Sequence, residues 1–376
     1  MKTDDITATI ERALRSAGLN TATPLVEGIR RQIRSALASA GLTNADAASG
    51  AGDVIDVEAR ERPDPEADDD DRPRRGEPPR AEPGSFTWHR HDGRAGNRRF
   101  KSYVPASYRG GAVPLIVMLH GCRQDPDDFA AGTRMNRLAD EHGFIVAYPQ
   151  QPARANGSSC WNWFEPRDQQ REGGEPELIA GIVQQIAAHG QIDTDRVFVA
   201  GLSAGAAMAL ILGRTHADVF AGIGVHSGLP YAAAHDVASA FAAMSGGSAR
   251  RSASRGAARA AQSHRAVPTI IFHGEHDSTV RVDNADLIVA EALRAFEAHH
   301  GRPLQRVAAD RGAAGGREFV RARYALGDTA VLLEDWRIGG AGHAWSGGSA
   351  AGTFADPQGP DASAAMVDFF LRQRTG

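Results

Sequence analysis

The sequence predicts an α/β protein over residues 85–376, in which helices cover both faces of a mostly parallel β-sheet. Short apolar runs alternate there with stretches of helical periodicity, which is typical of repeated strand–helix units. Residues 114–119 are apolar throughout and too few for a helix, so they fit a strand buried on both faces. With 42% hydrophobic and 23% charged residues among 376, the chain has enough apolar side chains for a globular core.

The individual elements follow from the same periodicities. Strands are predicted, in chain order, at residues 86–91, 99–104, 114–119, 144–148, 196–200, 221–225 and 269–272. A hairpin is predicted from residues 319–325 and 331–336 across Gly327-Asp328, because this dipeptide favours a tight turn. Helices are predicted at residues 127–142, 175–189, from Ser203 onward, 284–299 and 361–371. Residues 242–266, rich in Ser, Gly, Arg and Ala, are predicted to form a loop or small lid.

The N-terminal segment, residues 1–45, is predicted to be helical and separate from the sheet. Its apolar residues recur at helical spacing in two Ala-rich stretches that end at Gly18 and Gly41. The stretches are near copies of each other, but two repeats are too few for a solenoid. We interpret the segment as a helical hairpin that rests on another surface; a module for docking or self-association is the alternative.

Residues 46–84 differ sharply in composition from the segments on either side. Asp, Glu, Arg and Pro dominate, with four consecutive aspartates at residues 68–71 and almost no apolar residue. Such a segment cannot bury enough surface to offset its ordering entropy, so an acidic, Pro-rich disordered linker is predicted. An acidic recognition tail is the alternative.

The overall charge excludes some classes of partner. The chain has 42 Lys+Arg and 46 Asp+Glu, a net charge of −4, so we expect no nucleic-acid partner, which would need a basic face. No apolar run approaches the ~20 residues that span a bilayer. The first residues lack the apolar stretch of a secretory signal, so a cytoplasmic location is the default expectation.

The segment Gly201-Leu-Ser203-Ala-Gly205 matches the pattern of a nucleophile elbow. An apolar run ends at Gly201, and helix-forming residues follow Ser203 directly. A strand, a sharp turn and a helix hold a serine hydroxyl out above the edge of a sheet, so Ser203 is the candidate nucleophile. The alternative is that Ser203 only caps the helix.

A serine nucleophile needs a base, and the base needs a carboxylate that orients it. In hydrolases built on this elbow, the order along the chain is Ser, then Asp, then His. Asp277 stands just after the predicted strand 269–272, and His343 stands in a glycine-rich stretch after the last predicted strand. These are the candidate acid and base, with Glu275 or Asp283 as alternative acids.

An oxyanion hole needs two hydrogen-bond donors. One candidate is the backbone N–H of Ala204, directly after the nucleophile. The other is the backbone N–H of Cys122, in the loop that follows strand 114–119. Each such donor stabilises a transition state by about 2.7–4 kcal/mol.

Five blocks, in this order, resemble the polyhydroxybutyrate (PHB) depolymerase-type esterase family, which includes feruloyl and acetylxylan esterases. They are residues 120–122 (His-Gly-Cys), 159–164, 201–205, 273–277 and 342–345. The likeness covers about residues 90–375 and implies an α/β-hydrolase core, a Ser203–Asp277–His343 triad, and neither metal nor other cofactor. It also implies hydrolysis of short-chain hydroxyalkanoate or related esters. Because no polymer-binding domain is recognised, a soluble or amorphous ester is expected rather than crystalline polymer.

The two cysteines stand in the first two of these blocks, Cys122 in the predicted oxyanion loop and Cys160 at the start of the aromatic block. The resemblance implies that they form a disulfide, which would hold the two loops together. Two free thiols are the alternative in a reducing compartment. Many members of the family are secreted, so the resemblance and the disulfide favour an extracellular or periplasmic location over the cytoplasmic default.

Three of the five tryptophans, Trp161, Trp163 and Trp345, lie in predicted loops near the catalytic edge. Ligands of open α/β sheets bind beyond the carboxyl ends of the strands, so these indoles are candidates for substrate binding. The alternative is that they cover the core.

We therefore expect a serine carboxylesterase that forms an acyl-enzyme on hydroxybutyrate-type esters or oligomers, with a polyester surface as a further partner. A feruloyl or acetylxylan esterase is the alternative within enzymes. A catalytically decayed protein that binds polymer granules through its N-terminal helices is the alternative outside them.

Overall fold

The computed structural model describes residues 84–246, 265–328 and 330–375. The helical segment predicted at residues 1–45 and nearly all of the linker predicted at 46–84 lie outside the described residues. Most of the loop predicted at 242–266 lies outside them as well. In the part of the chain that the structure describes, every helix is too short or too polar to cross a bilayer.

Ten strands of the described residues form one sheet in the order β1-β2-β4-β3-β5-β6-β7-β10-β9-β8. They are β1 Ser85–Gly93, β2 Gly96–Val104, β3 Val113–Leu119, β4 Ile145–Pro149, β5 Ile192–Leu202, β6 Gly222–His226, β7 Thr269–Gly274, β8 Gln305–Ala314, β9 Arg317–Ala325 and β10 Val331–Ile338. The six central strands, from β4 to β10 in this order, are parallel, and the outer strands on both sides pair antiparallel. The predicted fold class, an α/β protein with a mostly parallel sheet, is confirmed.

Helices pack on both faces of the sheet. They are α1 Pro126–Thr133, α2 Met135–His142, α3 Gly174–Ala187, α4 Ala204–Thr215, α5 Val237–Met244, α6 Asp283–His300 and α7 Ala362–Phe370. Successive residues of β3 point to opposite faces: Leu115 and Val117 belong to a core with α3, α4 and α6, and Ile116 belongs to a core with α1, α2 and α7. This burial on both faces explains why β3 and the neighbouring β4 contain no charged residue.

One predicted helix is two helices in the structure. Residues 127–142 were expected to be continuous, but α1 ends and α2 begins around Arg134, whose φ of 55° lies in the left-handed region. The Arg134 side chain donates hydrogen bonds to the Gly347 carbonyl and the Asp361 carboxylate. These tertiary contacts hold the chain direction at the break.

Sequence periodicity also missed several elements. Strand β8 is mostly exposed and has Val307 as its single large apolar residue, and α5 overlaps the start of the loop predicted at residues 242–266. Asp236 caps α5, because its side chain accepts a hydrogen bond from the Ser239 N–H at 2.7 Å. A small two-stranded sheet, β11 Trp345–Ser346 with β12 Ala355–Asp356, follows the last strand of the large sheet.

The parallel arrangement sets the place of the candidate site. Strands β3, β5, β6, β7 and β10 run in the same direction, so the loops that follow them emerge at one edge of the sheet. These loops carry the residues that the sequence analysis selected. Ligand sites of open α/β sheets lie at this edge.

Candidate active site

Ser203 stands between the end of β5 and the start of α4 with φ 58° and ψ −118°. This left-handed backbone is costly for a residue other than glycine, and such strain is concentrated at functional sites. The turn is tight because a Cβ on Gly205 would lie 2.1 Å from the Leu119 carbonyl oxygen, and one on Gly201 would lie 2.4 Å from the Gly205 backbone. Both flanking glycines are therefore required by close backbone packing.

Asp277 and His343 are 66 residues apart in sequence and are hydrogen-bonded in the structure, with His343 Nδ1 2.7 Å from Asp277 Oδ2. The second carboxylate oxygen accepts the backbone N–H groups of Thr279 and Val280, at 2.9 and 2.8 Å. Asp277 is thus fixed by its own loop and orients the imidazole through Nδ1. In this tautomer His343 Nε2 is left to accept a proton.

The local electrostatics keep Asp277 ionised. Burial acts to raise the pKa of this carboxyl, but the hydrogen bond and the charge of His343, together with the Val280 N–H, lower the pKa overall. The alternative acids, Glu275 and Asp283, are exposed and make no hydrogen bond to His343 among the described residues. The geometry therefore favours Asp277 as the partner of the imidazole.

His226, at the end of β6, connects the Ser203 turn to the loop that carries His343. The Ser203 N–H donates to the His226 carbonyl oxygen at 2.9 Å. The Ser346 N–H donates to His226 Nε2 at 3.0 Å, and the Trp345 ring stacks on the same imidazole with centroids 5.1 Å apart. Both loops are thereby held at the same place on the sheet edge.

Among the hydrogen bonds of the described residues, none joins the Ser203 hydroxyl to the His343 ring. A general base has to approach to about 2.6–3.2 Å, and in free enzymes this contact is commonly longer than in the substrate complex. The side chains of both residues are largely buried, Ser203 at 9% residue exposure and His343 at 11% side-chain exposure.

Two backbone N–H groups at this edge, those of Cys122 and Ala204, have no acceptor among the described residues. Ala204 opens α4, whose first N–H groups are left without helical partners. The carbonyl oxygen of Gly121 accepts hydrogen bonds from His120 Nδ1 at 2.8 Å and from the Gln124 N–H at 3.3 Å. Because C=O and N–H of a trans peptide point in opposite directions, the Cys122 N–H faces away from these donors and cannot flip freely.

Further contacts hold the predicted oxyanion loop in place. A disulfide joins Cys122 to Cys160, as the resemblance implied. The ring of His120 accepts the Gln151 N–H at 3.1 Å through Nε2, and burial lowers the pKa of His120 to about 4. His120 is therefore neutral at physiological pH, with its proton on the Nδ1 that holds Gly121.

A buried polar cluster supports the block that follows Cys160. Glu175 accepts the backbone N–H and the side-chain amide of Asn162, both at 2.8 Å, and the side-chain amide of Gln151 at 2.5 Å. Arg98 lies 3.9 Å from the same carboxylate. Burial and the charge of Asp168 raise the pKa of Glu175 to about 7, against the opposing hydrogen bonds and Arg98.

The three candidate substrate-binding tryptophans are buried, with 0% exposure for Trp161, 5% for Trp163 and 1% for Trp345. The Trp161 indole donates to the His120 carbonyl oxygen at 3.1 Å, and the Trp345 indole donates to the Ser363 hydroxyl at 3.0 Å. These contacts favour the alternative that they pack beneath the loops. Contact of these indoles with a substrate stays a prediction that their burial does not favour.

Sequence reasoning gave no role to three buried histidines at the carboxyl ends of strands, namely His120, His226 and His273. Each contacts at least one loop of the site. His273 Nε2 donates to the Val280 carbonyl oxygen at 2.8 Å and lies 3.6 Å from Asp277 Oδ2. Their position directly at the end of apolar runs is the signal that could have identified them.

The chain is similar to several known esterases. A family model described as "Esterase PHB depolymerase" matches residues 99–321. Poly(3-hydroxyalkanoate) depolymerase C of Paucimonas lemoignei is 37% identical over 252 residues, which cover 66% of this chain and 58% of that protein. Feruloyl esterase B of Neurospora crassa is 34% identical over 145 residues, which cover 38% of this chain and 48% of that protein. The chain thus spans about half the length of these relatives.

A solved structure of similar fold is an acetyl xylan esterase from Aspergillus awamori. It superposes with a TM-score of 0.56 at 18% identity, covering 76% of this chain and 99% of that one. At this identity the likeness concerns the fold, which is the α/β-hydrolase fold that the resemblance implied. The match of the family model over residues 99–321, which include the elbow and Asp277, leads to one conclusion: the chain belongs to the esterase PHB depolymerase family.

Proposed function

We propose that the chain is a serine carboxylesterase that hydrolyses hydroxybutyrate-type esters or their short oligomers. The observation that carries the proposal is the pair of His343 and Asp277, hydrogen-bonded at 2.7 Å in the loops next to the strained turn of Ser203. Membership of a family of esterases and the 37% identity to a poly(3-hydroxyalkanoate) depolymerase support the choice of bond and substrate.

In the acylation step, the Ser203 hydroxyl gives its proton to His343 Nε2 while its oxygen attacks the ester carbonyl carbon. The bond to the alcohol oxygen then breaks, and the alcohol leaves with the proton from His343. In deacylation, water gives a proton to His343 and attacks the acyl carbon. The acid leaves, and Ser203 regains its proton. Asp277 holds the imidazole in the required tautomer and stabilises its charge when it is protonated.

The negative charge that develops on the carbonyl oxygen needs donors that are already in place. The N–H groups of Cys122 and Ala204 fit this role, because neither is used by another acceptor among the described residues. The His120 ring holds the first donor through the Gly121 carbonyl, and the Ser203 turn holds the second. We assign both as the oxyanion hole.

The test is the Ser203→Ala variant, assayed with p-nitrophenyl butyrate. We expect kcat to fall at least about 10³-fold with an unchanged melting temperature, because only the nucleophile is lost. The matched control is Ser245→Ala, since Ser245 is an exposed serine at the end of α5. Labelling of the wild type, but not of Ser203→Ala, by a fluorophosphonate probe is the second readout. Retained turnover in Ser203→Ala would reject the assignment, and an unlabelled wild type would favour a decayed, granule-binding protein.

A second candidate, a feruloyl or acetylxylan esterase, is favoured by the 34% identity to a feruloyl esterase. Such an enzyme would use the same triad, and only the acyl and alcohol groups of its ester substrate would differ. Comparing kcat/KM on hydroxybutyrate oligomers, methyl ferulate and acetylated xylan distinguishes the two. A higher kcat/KM on either plant-derived ester would replace the first substrate class.

The disulfide bears on the compartment in which the chain works. Disulfides persist in oxidising compartments and are rare in a reducing cytosol. Because the bond between Cys122 and Cys160 is part of the proposed oxyanion loop, we propose a periplasmic or extracellular place of action.

A further inference from the structure

The backbone and the ring of His226 contact two different loops of the site, the Ser203 turn and the segment that follows His343. His226 is 1% exposed and lies at the end of β6, next to the strand that carries Ser203. Its carbonyl oxygen accepts the Ser203 N–H at 2.9 Å. Its Nε2 accepts the Ser346 N–H at 3.0 Å, three residues beyond His343.

The contacts define the tautomer of the ring. Since Nε2 accepts the Ser346 N–H, it carries no proton, and a neutral imidazole must then have its proton on Nδ1. The Ser227 hydroxyl lies 3.2 Å from Nδ1 and can accept that proton. Ser227 is fully buried and has a φ of 52°, so its backbone is held in the left-handed region directly beside the ring.

The plane of the ring is fixed as well. Trp345 stacks on it at a centroid distance of 5.1 Å, and Phe272 stacks at 5.9 Å. Burial first, then the charges of His273 and His343, lower the pKa of His226 to about 3. The ring therefore stays neutral and keeps the Nε2 lone pair that binds Ser346 over the whole neutral pH range.

We propose that His226 is a positioning residue that sets the distance between the nucleophile and the base. Its carbonyl group holds the turn of Ser203, and its ring holds the segment that follows His343. Three residues of extended chain span at most about 11 Å, so a fixed Ser346 limits how far the His343 backbone can move. This inference rests on the proposed function, because it concerns the nucleophile and base assigned there.

The experiment compares two variants of His226 with matched variants of His216. His216 is also buried, at 5% exposure, but its ring is hydrogen-bonded to Thr215 at the end of α4, and none of its hydrogen bonds among the described residues reaches a loop of the site. In His226→Leu we expect kcat to fall about 10- to 100-fold, because the base loop loses its anchor. KM should stay within about twofold, since no substrate contact is removed. In His226→Gln, whose side-chain oxygen can accept the Ser346 N–H, most of kcat should return.

The His216→Leu and His216→Gln variants should lose melting temperature but keep kcat. An equal loss of kcat in His216→Leu at equal loss of melting temperature would assign His226 a structural role only. A folded His226→Leu with the wild-type kcat would overturn the proposal. If that result comes with an inactive Ser203→Ala, the proposed function stands and only the positioning role is wrong.

A measurement on the wild type keeps the proposal testable if His226→Leu does not fold. Ring ¹⁵N shifts should show His226 neutral with its proton on Nδ1 at pH 7, and the Ser346 amide should exchange slowly with solvent. A proton on Nε2, or a Ser346 amide that exchanges as fast as an exposed one, would overturn the proposal whatever the activity.

Discussion

The carboxylate of Asp277 accepts three hydrogen bonds, and only one of them comes from the base. In Asp277→Asn the amide offers no negative charge to the protonated imidazole and disturbs its tautomer. We expect kcat on p-nitrophenyl butyrate to fall by about 10⁴-fold with little change in KM. Steady-state kinetics measures kcat and KM, and the melting temperature shows whether the variant is folded.

The two other acids near the end of β7 provide controls for this prediction. Glu275→Gln and Asp283→Asn should keep kcat within about twofold, since surface substitutions away from the reacting groups have small effects. A loss in either control as large as that in Asp277→Asn would contradict the assignment of the acid.

Single residues of the candidate site could be predicted from the sequence where their order along the chain indicates their role. Ser203, Asp277 and His343 could be selected because a strand precedes each of them and their order is that of a known class of hydrolase. The role proposed for His226 could not be predicted, because it depends on contacts with Ser203 and Ser346 that only the folded sheet creates. The burial of Trp345 could not be predicted either, because a position in a predicted loop does not show whether the side chain is exposed to solvent or packed against the protein.

At the scale of elements, the disulfide joins the loop after β3 to the block before α3, with 38 residues of separation. In the double variant Cys122→Ser/Cys160→Ser we expect the free energy of unfolding to fall by about 4 kcal/mol, because the unfolded chain regains the entropy of an open loop. We also expect kcat to fall more than KM rises, since the Cys122 N–H is less firmly held. Urea unfolding and ester kinetics measure both.

Chemical reduction of the disulfide in the wild type is the control for the double variant. A reductant should lower the stability and kcat of the wild type toward those of the double variant and leave the double variant unchanged. Wild-type kcat in a folded double variant would show that the loop is held by His120 and Gln151 without the disulfide.

A helix or strand could be predicted where burial imposes an apolar pattern on its residues. It could not be predicted where contacts with distant residues determine its position or its end. The central strands could be found because burial on both faces requires apolar runs. Strand β8 was missed because it is exposed and, in the part of the chain that the structure describes, pairs with β9 alone. The break at Arg134 was missed because its left-handed position is an arginine rather than a glycine, and contacts with residues far along the chain hold it.

At the scale of the whole molecule, buried neutral histidines link stability to pH. Burial, followed by the charge of Arg171, lowers the pKa of His216 to about 4 from an ordinary value of 6.5. The folded chain thus binds fewer protons at this site than the unfolded chain between these two values. The contribution of His216 to the free energy of unfolding is therefore complete above pH 6.5 and shrinks as the pH falls toward 4.

A single variant isolates this contribution from that of buried carboxyl groups such as Glu175, whose raised pKa acts in the opposite direction. The free energy of unfolding of the wild type minus that of His216→Gln should fall by about 2 kcal/mol between pH 8 and pH 5. Urea unfolding of both proteins across this range measures the difference. A difference independent of pH would show that His216 titrates in the folded protein as it does in the unfolded chain.

Strand β8, the last strand at one border of the sheet, bears on the behaviour of the protein in concentrated solution. Strand β8 offers ten residues of backbone along one border with no further strand among the described residues beside it. Such a border is a template for edge-to-edge association, and lysines or arginines on it are a common protection. Arg306 and Arg311 are both exposed on β8, so we expect their charges to oppose pairing of this border with a second copy.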